Sequence, residues 1–328
     1  MIQDITAEMA ARVFAELPVE RRIPTLSPGY VVADAARDPA LHPRFALYRD
    51  ARGFWLHGFH QCAIEGSDRS DIQSPYGYGG PVSDCDETNF RQDAWQAYCS
   101  WCATQNIVVE FVRLHPLAPW QNYMGQQVND REIVYVDLNA ENLRATYQMR
   151  CRTAVKKAEK ANVTVNIHPA TEIGTDFAAF YKEGMRRIGA ADYYIFDDAY
   201  FGHLRRLPSA MLFVCEHDNV WLAAGLFLAG GDCLEYHLSS VTEQGRLFSA
   251  TNLLIDAAAS WGKEQGLKTL YLGGGTNRQK DNPLLRFKEG FSELRKMFSY
   301  GYTVHDKVWY DSMRARFPAS TGRVLFYR

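Results

Sequence analysis

The sequence predicts an α+β fold, with mixed, mostly antiparallel sheets flanked by helices and about two domains. Three observations carry this. The chain has 328 residues, 47% of them hydrophobic and 13% aromatic, which is the composition of a packed core. Apolar, β-rich runs follow one another closely through residues 211–238. Elsewhere such runs alternate with segments of helical period, most clearly 249–265 followed by 269–272.

From the N-terminus, residues 3–16 read as an amphipathic helix. Residues 45–48 and 53–58 read as strands, with 49–52 as the turn. Ser74-Pro75-Tyr76-Gly77-Tyr78-Gly79-Gly80-Pro81 has too much Gly and Pro for a regular element, so it is a loop. Its two tyrosines either line a pocket or pack the loop on itself. A helix is expected over 89–105, strands over 107–113 and 133–138, and a long helix from about Glu141 to Lys160. A strand at 163–167 and a helix at 176–188 come next. His217-Asp218-Asn219 has hairpin-turn chemistry. In the 249–265 helix, Ala250, Leu253, Leu254, Ala257, Ala258 and Trp261 share one face, Ser249 is placed to cap the start, and Gly266 follows the end. A domain boundary is expected near 145, giving domains 1–145 and 146–302, with a tail 303–328 that returns to the first.

Composition excludes several classes. A net charge of −2 argues against a chain built mainly to hold nucleic acid, although a local basic face stays open. No apolar run has the length of a membrane span, so stable membrane insertion is not expected. Residues 1–17 lack a basic start followed by an apolar block, so no secretory leader is expected and a cytoplasmic location is. Seven scattered cysteines do not suggest a disulfide framework. Cys99-Ser100-Trp101-Cys102 sits inside a helical pattern and reads as two small core thiols, since a redox pair belongs at a helix start. His57, His60 and Cys62 lie on a strand where residues three apart face opposite ways, so no metal site is expected. There is no G-x-S-x-G elbow, no G-x-x-x-x-G-K-[ST] and no G-x-G-x-x-G.

The densest chemical signal is Leu272-Gly273-Gly274-Gly275-Thr276, then Asp281, then Leu285-Arg286-Phe287-Lys288, with Phe291 beyond. An apolar strand that runs into glycines marks backbone of positive φ or close approach to a ligand. Lys288, flanked by Phe287 and Phe291, is a cation able to stabilise developing negative charge. Arg152, Lys156 and Lys160 fall on one helical stripe, either an electropositive track for phosphates or an RNA end, or a solvated face. Tyr236 and His237 alternate faces on one strand, so one of them points towards the site. Arg186 and Arg187 end a helix, where cations suit its dipole, and a carboxylate- or phosphate-gripping role is open.

These motifs, in this order over roughly residues 145–300, resemble the FemAB/FemX-type aminoacyltransferases of the GNAT-like superfamily. The resemblance rests on Arg152 with Val155-Lys156-Lys157-Ala158-Glu159-Lys160, Tyr181 with Met185 and Arg187, Gly245-Arg246 with Trp261, Glu264 and Gly266, and Gly273-Gly274-Gly275 with Leu285, Phe287, Lys288 and Phe291. Residues 40–140 look like the divergent first domain, with Phe111 to Pro116 in the expected place. The resemblance implies two tandem GNAT-like domains and transfer of an aminoacyl group from aminoacyl-tRNA to an amine of a peptidoglycan precursor. It implies Lys288 as the charge-stabilising residue and the Phe287 carbonyl facing the attacking amine, with Arg187 and Tyr236 binding acceptor groups. Tyr78 and Arg113 join the acceptor side, and Arg152, Lys156, Lys160 and Arg246 the donor side.

The expected co-substrate is an activated acyl donor, aminoacyl-tRNA or acyl-CoA, with no tightly bound cofactor. The expected acceptor is a cell-envelope precursor or a small amine, with tRNA as a possible partner. Two other readings stay open, a CoA-dependent N-acyltransferase on an amino sugar or small amine, and a non-catalytic protein that binds an envelope glycan or peptide. Arg246-Leu247-Phe248-Ser249-Ala250-Thr251 lacks the glycine of the usual acetyl-CoA loop.

Overall fold

The computed structural model describes residues 1–172, 175–279, 281–317 and 322–327. The expected tail thus has residues 318–321 and 328 outside the described residues. The chain divides into two compact units, Met1–Asp130 with Phe298–Arg328, and Arg131–Met297.

The first unit begins with β1 (Gln3–Asp4), α1 (Ala7–Phe14) and α2 (Pro28–Ala35). The expected helix over 3–16 is shorter because Thr6 takes extended backbone and accepts from Met9 N–H, so the helix starts only at Ala7. The hairpin β2 (His42–Asp50) and β3 (Gly53–Ala63) is followed by β4 (Ser70–Gln73), β5 (Val82–Ser83), α3 (Thr88–Thr104) and β6 (Ile107–Leu114). Strand β3 shows the period of two. Trp55, His57 and Phe59 meet the Tyr98 ring of α3, whereas Gly58 and His60 meet Val31 of α2.

The second unit begins within β7 (Gln126–Asp137), at Arg131, and takes α4 (Leu143–Thr146), α5 (Met149–Lys160), β8 (Thr164–Pro169), α6 (Asp176–Arg187) and α7 (Asp198–Leu204). It continues with β9 (Ala210–His217), β10 (Val220–Gly230), β11 (Cys233–Val241), α8 (Glu243–Leu247), α9 (Ala250–Glu264), β12 (Thr269–Gly274) and α10 (Pro283–Glu289). The first unit resumes within β13 (Arg295–Val304), at Phe298, and takes α11 (Lys307–Arg314). There Tyr310 and Phe326 pack with Ile64, Val108 and Val109, and Tyr327 donates to Asp71 at 3.0 Å.

Both units use one pattern. In the first, β2, β3 and β4 are antiparallel neighbours, α3 crosses over, β6 pairs parallel to β4, and β13 adds antiparallel to β6. In the second, β9, β10 and β11 are antiparallel, α8 and α9 cross over, β12 pairs parallel to β11, and β7 adds antiparallel to β12. The pairing within each unit is therefore mixed and mostly antiparallel, with helices packed on it, as the composition and succession of elements predict.

Two expectations need correction. The long helix over 141–160 is broken, because Tyr147 is extended and Gln148 N–H is taken by the Gly290 carbonyl at 2.8 Å. The Tyr147 ring is buried against Phe291 at 5.3 Å, which burial of a large aromatic favours over an unbroken helix. Ser249 stands at the N-cap position of α9 but its side chain makes no capping bond; it is left-handed (φ 60°), directly after the Phe248 cap of α8.

Candidate active site

The parallel pair of the second unit opens after three residues. Cys233, Leu234 and Glu235 of β11 face Thr269, Leu270 and Tyr271 of β12, and no pairing follows, although β11 runs on to Val241 and β12 to Gly274. A bulge sits just beyond the last pair in each strand. On β11 the register against β10 jumps from Leu226↔Leu238 to Phe227↔Tyr236, leaving His237 as the extra residue. On β12 the register against β7 jumps from Tyr271↔Tyr135 to Gly273↔Val134, leaving Leu272. Bulges re-aim side chains, and crevices at the carboxyl ends of parallel strands are where open sheets bind ligands.

The β11 bulge decides which of two neighbouring side chains goes where. The Tyr236 ring lies 5.1 Å from Phe227, and a side chain at Gly225 would meet both Leu254 of α9 and Tyr236, so Tyr236 is on the α9 side. Its hydroxyl donates to Ser239 Oγ, and burial pushes its pKa up to about 12. His237 lies on the other side, its Nε2 3.4 Å from the Tyr200 hydroxyl of α7.

The glycine bend ends β12. Gly273 has φ 76°, which a side chain would resist. A Cβ on Gly275 would stand 2.5 Å from Asn282 Oδ1, so only glycine lets the bend close on the start of α10. Asn282 is the N-cap, and Pro283 occupies the first turn. Its Oδ1 accepts from the amides of Leu284 and Leu285 at 3.0 and 3.1 Å, and its Nδ2 donates to Thr276 Oγ1 at 2.8 Å and Asn277 Oδ1 at 3.2 Å. The helix so anchored delivers Lys288, 7% exposed, with Nζ donating to the Gly274 carbonyl at 2.8 Å. Burial brings the Lys288 pKa down to about 7, so both the ammonium and the amine are populated near neutrality. Phe287 packs against the core and against Phe291 at 5.6 Å, and its carbonyl accepts from Gly290 N–H at 3.1 Å. A carbonyl has a second lone pair, which this bond leaves available.

The remaining expected residues divide by unit. In the second unit, Arg187 is tied at the end of α6, donating to the Val241 carbonyl at 2.9 Å and to Glu183 at 2.7 Å. Arg152 is half-buried and donates to the Tyr147 carbonyl, while Lys156 and Lys160 on the same helix are exposed. Arg246 is exposed on α8. In the first unit, Tyr78 packs its ring on His115 at 4.9 Å and Phe298 at 5.6 Å. The Arg113 guanidinium lies over the Phe111 ring at 5.5 Å.

The loop 74–81 is fixed from outside itself. Tyr76 N–H donates to buried Asp34 at 2.9 Å, and the Tyr30 hydroxyl donates to the Tyr76 carbonyl at 2.6 Å. It also stitches the parallel pair of this unit shut, through Ser74 N–H to Phe111 O and Gly79 N–H to Arg113 O at 3.0 and 2.8 Å. The first unit therefore has no counterpart of the opening between β11 and β12.

Asn282 and Arg131 were missed from sequence. The first had a signal, an Asn-Pro step before an apolar run. The second had none, because its contact with the Gly275 carbonyl at 3.1 Å joins positions 144 residues apart. Cys102 is a core thiol as expected, whereas Cys99 is only half-buried; burial raises the pKa of both, that of Cys99 to about 12. No cluster of three or more metal-ligating side chains occurs among the described residues. No described helix is long and apolar enough to cross a membrane.

This geometry brings a buried cation to the carboxyl end of an opened parallel strand pair, beside backbone bent by glycine. Such a cation can stabilise an oxyanion without a covalent enzyme intermediate. No protein-family model matches the sequence, and no curated protein matches it. Solved structures do. FemX superposes with a TM-score of 0.73 over 95% of this chain and 99% of its own, at 11% identity. L-PGS from Bacillus licheniformis gives 0.61 over 92% of each chain at 13% identity. The C-terminal domain of a putative lysylphosphatidylglycerol synthetase from Agrobacterium fabrum gives 0.59 over 94% of this chain and 97% of that one, at 12% identity. At such identities the likeness is one of architecture, and it bears out the resemblance read from the motifs at that level: this chain has the FemX fold.

Proposed function

We propose that the chain is an N-acyltransferase that moves an aminoacyl or other acyl group from an activated donor to an amine of a cell-envelope precursor. The observation that carries the reading is Lys288, buried and held on the Gly274 carbonyl where β11 and β12 part. The neutral amine attacks the ester or thioester carbonyl directly. The C–N bond forms, the carbonyl electrons move onto oxygen, and the Lys288 ammonium faces that charge. Collapse breaks the bond to the leaving oxygen or sulfur, which takes up a proton as the amine gives one up. A lysine with a pKa of about 7 both carries charge and yields a proton near neutrality. The fold shared with a protein named as a lysylphosphatidylglycerol synthetase supports an aminoacyl donor over a simple acetyl donor. The acceptor and the group transferred are part of this proposal.

The experiment is transfer assayed with charged tRNA and, separately, with acyl-CoA thioesters as donors against amine acceptors. Lys288→Met should cost about 10²–10³-fold in kcat, the scale for losing one oxyanion partner, while circular dichroism and Tm stay at the wild-type value or above. Unaltered turnover in that variant would falsify the assignment. Binding of a glycan or peptide without turnover, indifferent to Lys288→Met, would point to a non-catalytic protein instead.

A further inference from the structure

A cavity of about 130 Å³ lies in the second unit beneath α6 and α7. Its wall is apolar and buried, made by Ala170, by Phe177 and Ala178 of α6, by Phe201 of α7, and by Leu212 of β9 and Leu226 of β10. Phe213 and Phe227, the next residues along those two strands, pack in the core with α9, so Leu212 and Leu226 face the other way. Engineered apolar cavities of about 150 Å³ hold one benzene molecule. A space of this size therefore takes one ring or one branched alkyl group, well short of the usual volume for a drug-sized ligand.

Thr175, Asp198, Gly202 and Arg205 form the mouth, each exposed or half-buried. The two charges there are matched within the protein. Asp198 is exposed and holds Lys182 at 2.6 Å, and Arg205 has an interaction of its own. A charged guest carried onto the apolar wall would lose its water without gaining a counter-charge, so the site favours a neutral one. Gly202 keeps the mouth open. It sits inside α7 with φ outside the left-handed region, and a Cβ there would meet nothing within 4 Å. Glycine within a helix is less stable than alanine, and neither backbone geometry nor close packing asks for it here. Gly184 of α6 is the contrast, since a Cβ there would fall 1.7 Å from Ser240 Oγ.

We propose that this cavity is a binding site for one uncharged ring or branched alkyl group, the apolar end of a neutral molecule. Removal of the guest from water and close contact with the two phenylalanines and two leucines drive the binding. The volume sets the upper size of the guest, and the matched charges at the rim set its neutrality. The site is built on α6, α7, β9 and β10, not on the β12 and α10 that carry Lys288, and it is independent of the transferase reading.

The test is thermal shift and calorimetry of the full chain at pH 7 with benzene and toluene, against benzoate, benzylamine and naphthalene. Toluene should raise Tm and bind at least tenfold tighter than benzoate or benzylamine, which are ring-sized guests that carry a charge. Naphthalene, with two fused rings, should give no shift. Gly202→Leu should abolish the toluene shift with its own Tm unchanged or higher, since leucine closes the mouth and removes a helical glycine. Absence of toluene binding up to its solubility limit, or an undiminished shift in Gly202→Leu, would overturn the proposal. So would benzoate, benzylamine or naphthalene binding wild type as tightly as toluene does.

Discussion

Asn282, Gly275 and Lys288 act on one another at the scale of single atoms. Asn282 joins the glycine bend to the first turn of α10, so Asn282→Ala should cost about 1–2 kcal/mol, the range for a lost N-cap. Urea denaturation measures this, and a variant of wild-type stability would mean the cap is idle. Lys288 carries a pH signature. Folding lowers its pKa from 10.5 to about 7, so the unfolded chain holds more protons between those values. Stability from this group therefore rises with pH across that window, and the cost of burying the charge is fully present below pH 7. Lys288→Met should flatten the stability difference between pH 7 and pH 10. An equally steep profile in the variant would show that the lysine is not desolvated. The glycines and the lysine were legible in sequence because each answers a local demand, for backbone freedom or for charge. The depressed pKa was not, because desolvation comes from neighbours the sequence does not reveal.

Among the elements, the strands of the meander and α9 were legible because their periods are unambiguous. The turn at Asp218 and Asn219 was legible too, both residues taking positive φ (50° and 62°) as a two-residue hairpin requires. The junction of α8 and α9 was misread. A serine before a helical run has the signature of a cap, but here it is left-handed because two helices meet at it. A non-glycine residue in that conformation is strained, so Ser249→Gly should stabilise the protein by up to about 1 kcal/mol. Chemical denaturation reads the sign directly, and destabilisation would show that the serine side chain matters there. The break at Tyr147 was invisible for a related reason. Local propensity favours continuing the helix, and the diverting contacts, with Gly290 and Phe291, lie far along the chain. The bulges at His237 and Leu272 were equally hidden, and they lie just where the strand pair opens.

For the whole molecule, the two units repeat one topology, and each buries a group whose pKa burial shifts, Lys288 in the second and Glu110 in the first. The first unit holds Glu110, fully buried on β6, accepting from the hydroxyls of Tyr98 at 2.8 Å and Tyr123 at 3.0 Å. Burial outweighs these bonds and raises its pKa from 4.5 to about 7. The folded chain thus holds the extra proton between those values, and stability from Glu110 falls as pH rises from about 4.5 through 7. His57 and His305 of the same unit, lowered by burial to about 3 and about 4, act in the other direction below pH 6.5. The Glu110 contribution is isolated by comparison with Glu110→Gln, over which wild type should lose stability between pH 4.5 and 7, by roughly 3 kcal/mol at most. A constant difference between the two proteins across that range would rule it out.

The sequence by itself determined the α+β class, the meander and crossover elements, the glycine bend and the lysine beyond it. Each of these is written in a local period or in a residue type that few others can replace. Only the tertiary structure decided that β11 and β12 part after Glu235 and Tyr271, which of Tyr236 and His237 goes to the α9 side, and that Lys288 is out of water. Those outcomes depend on register and burial, which are set by contacts between residues distant along the chain.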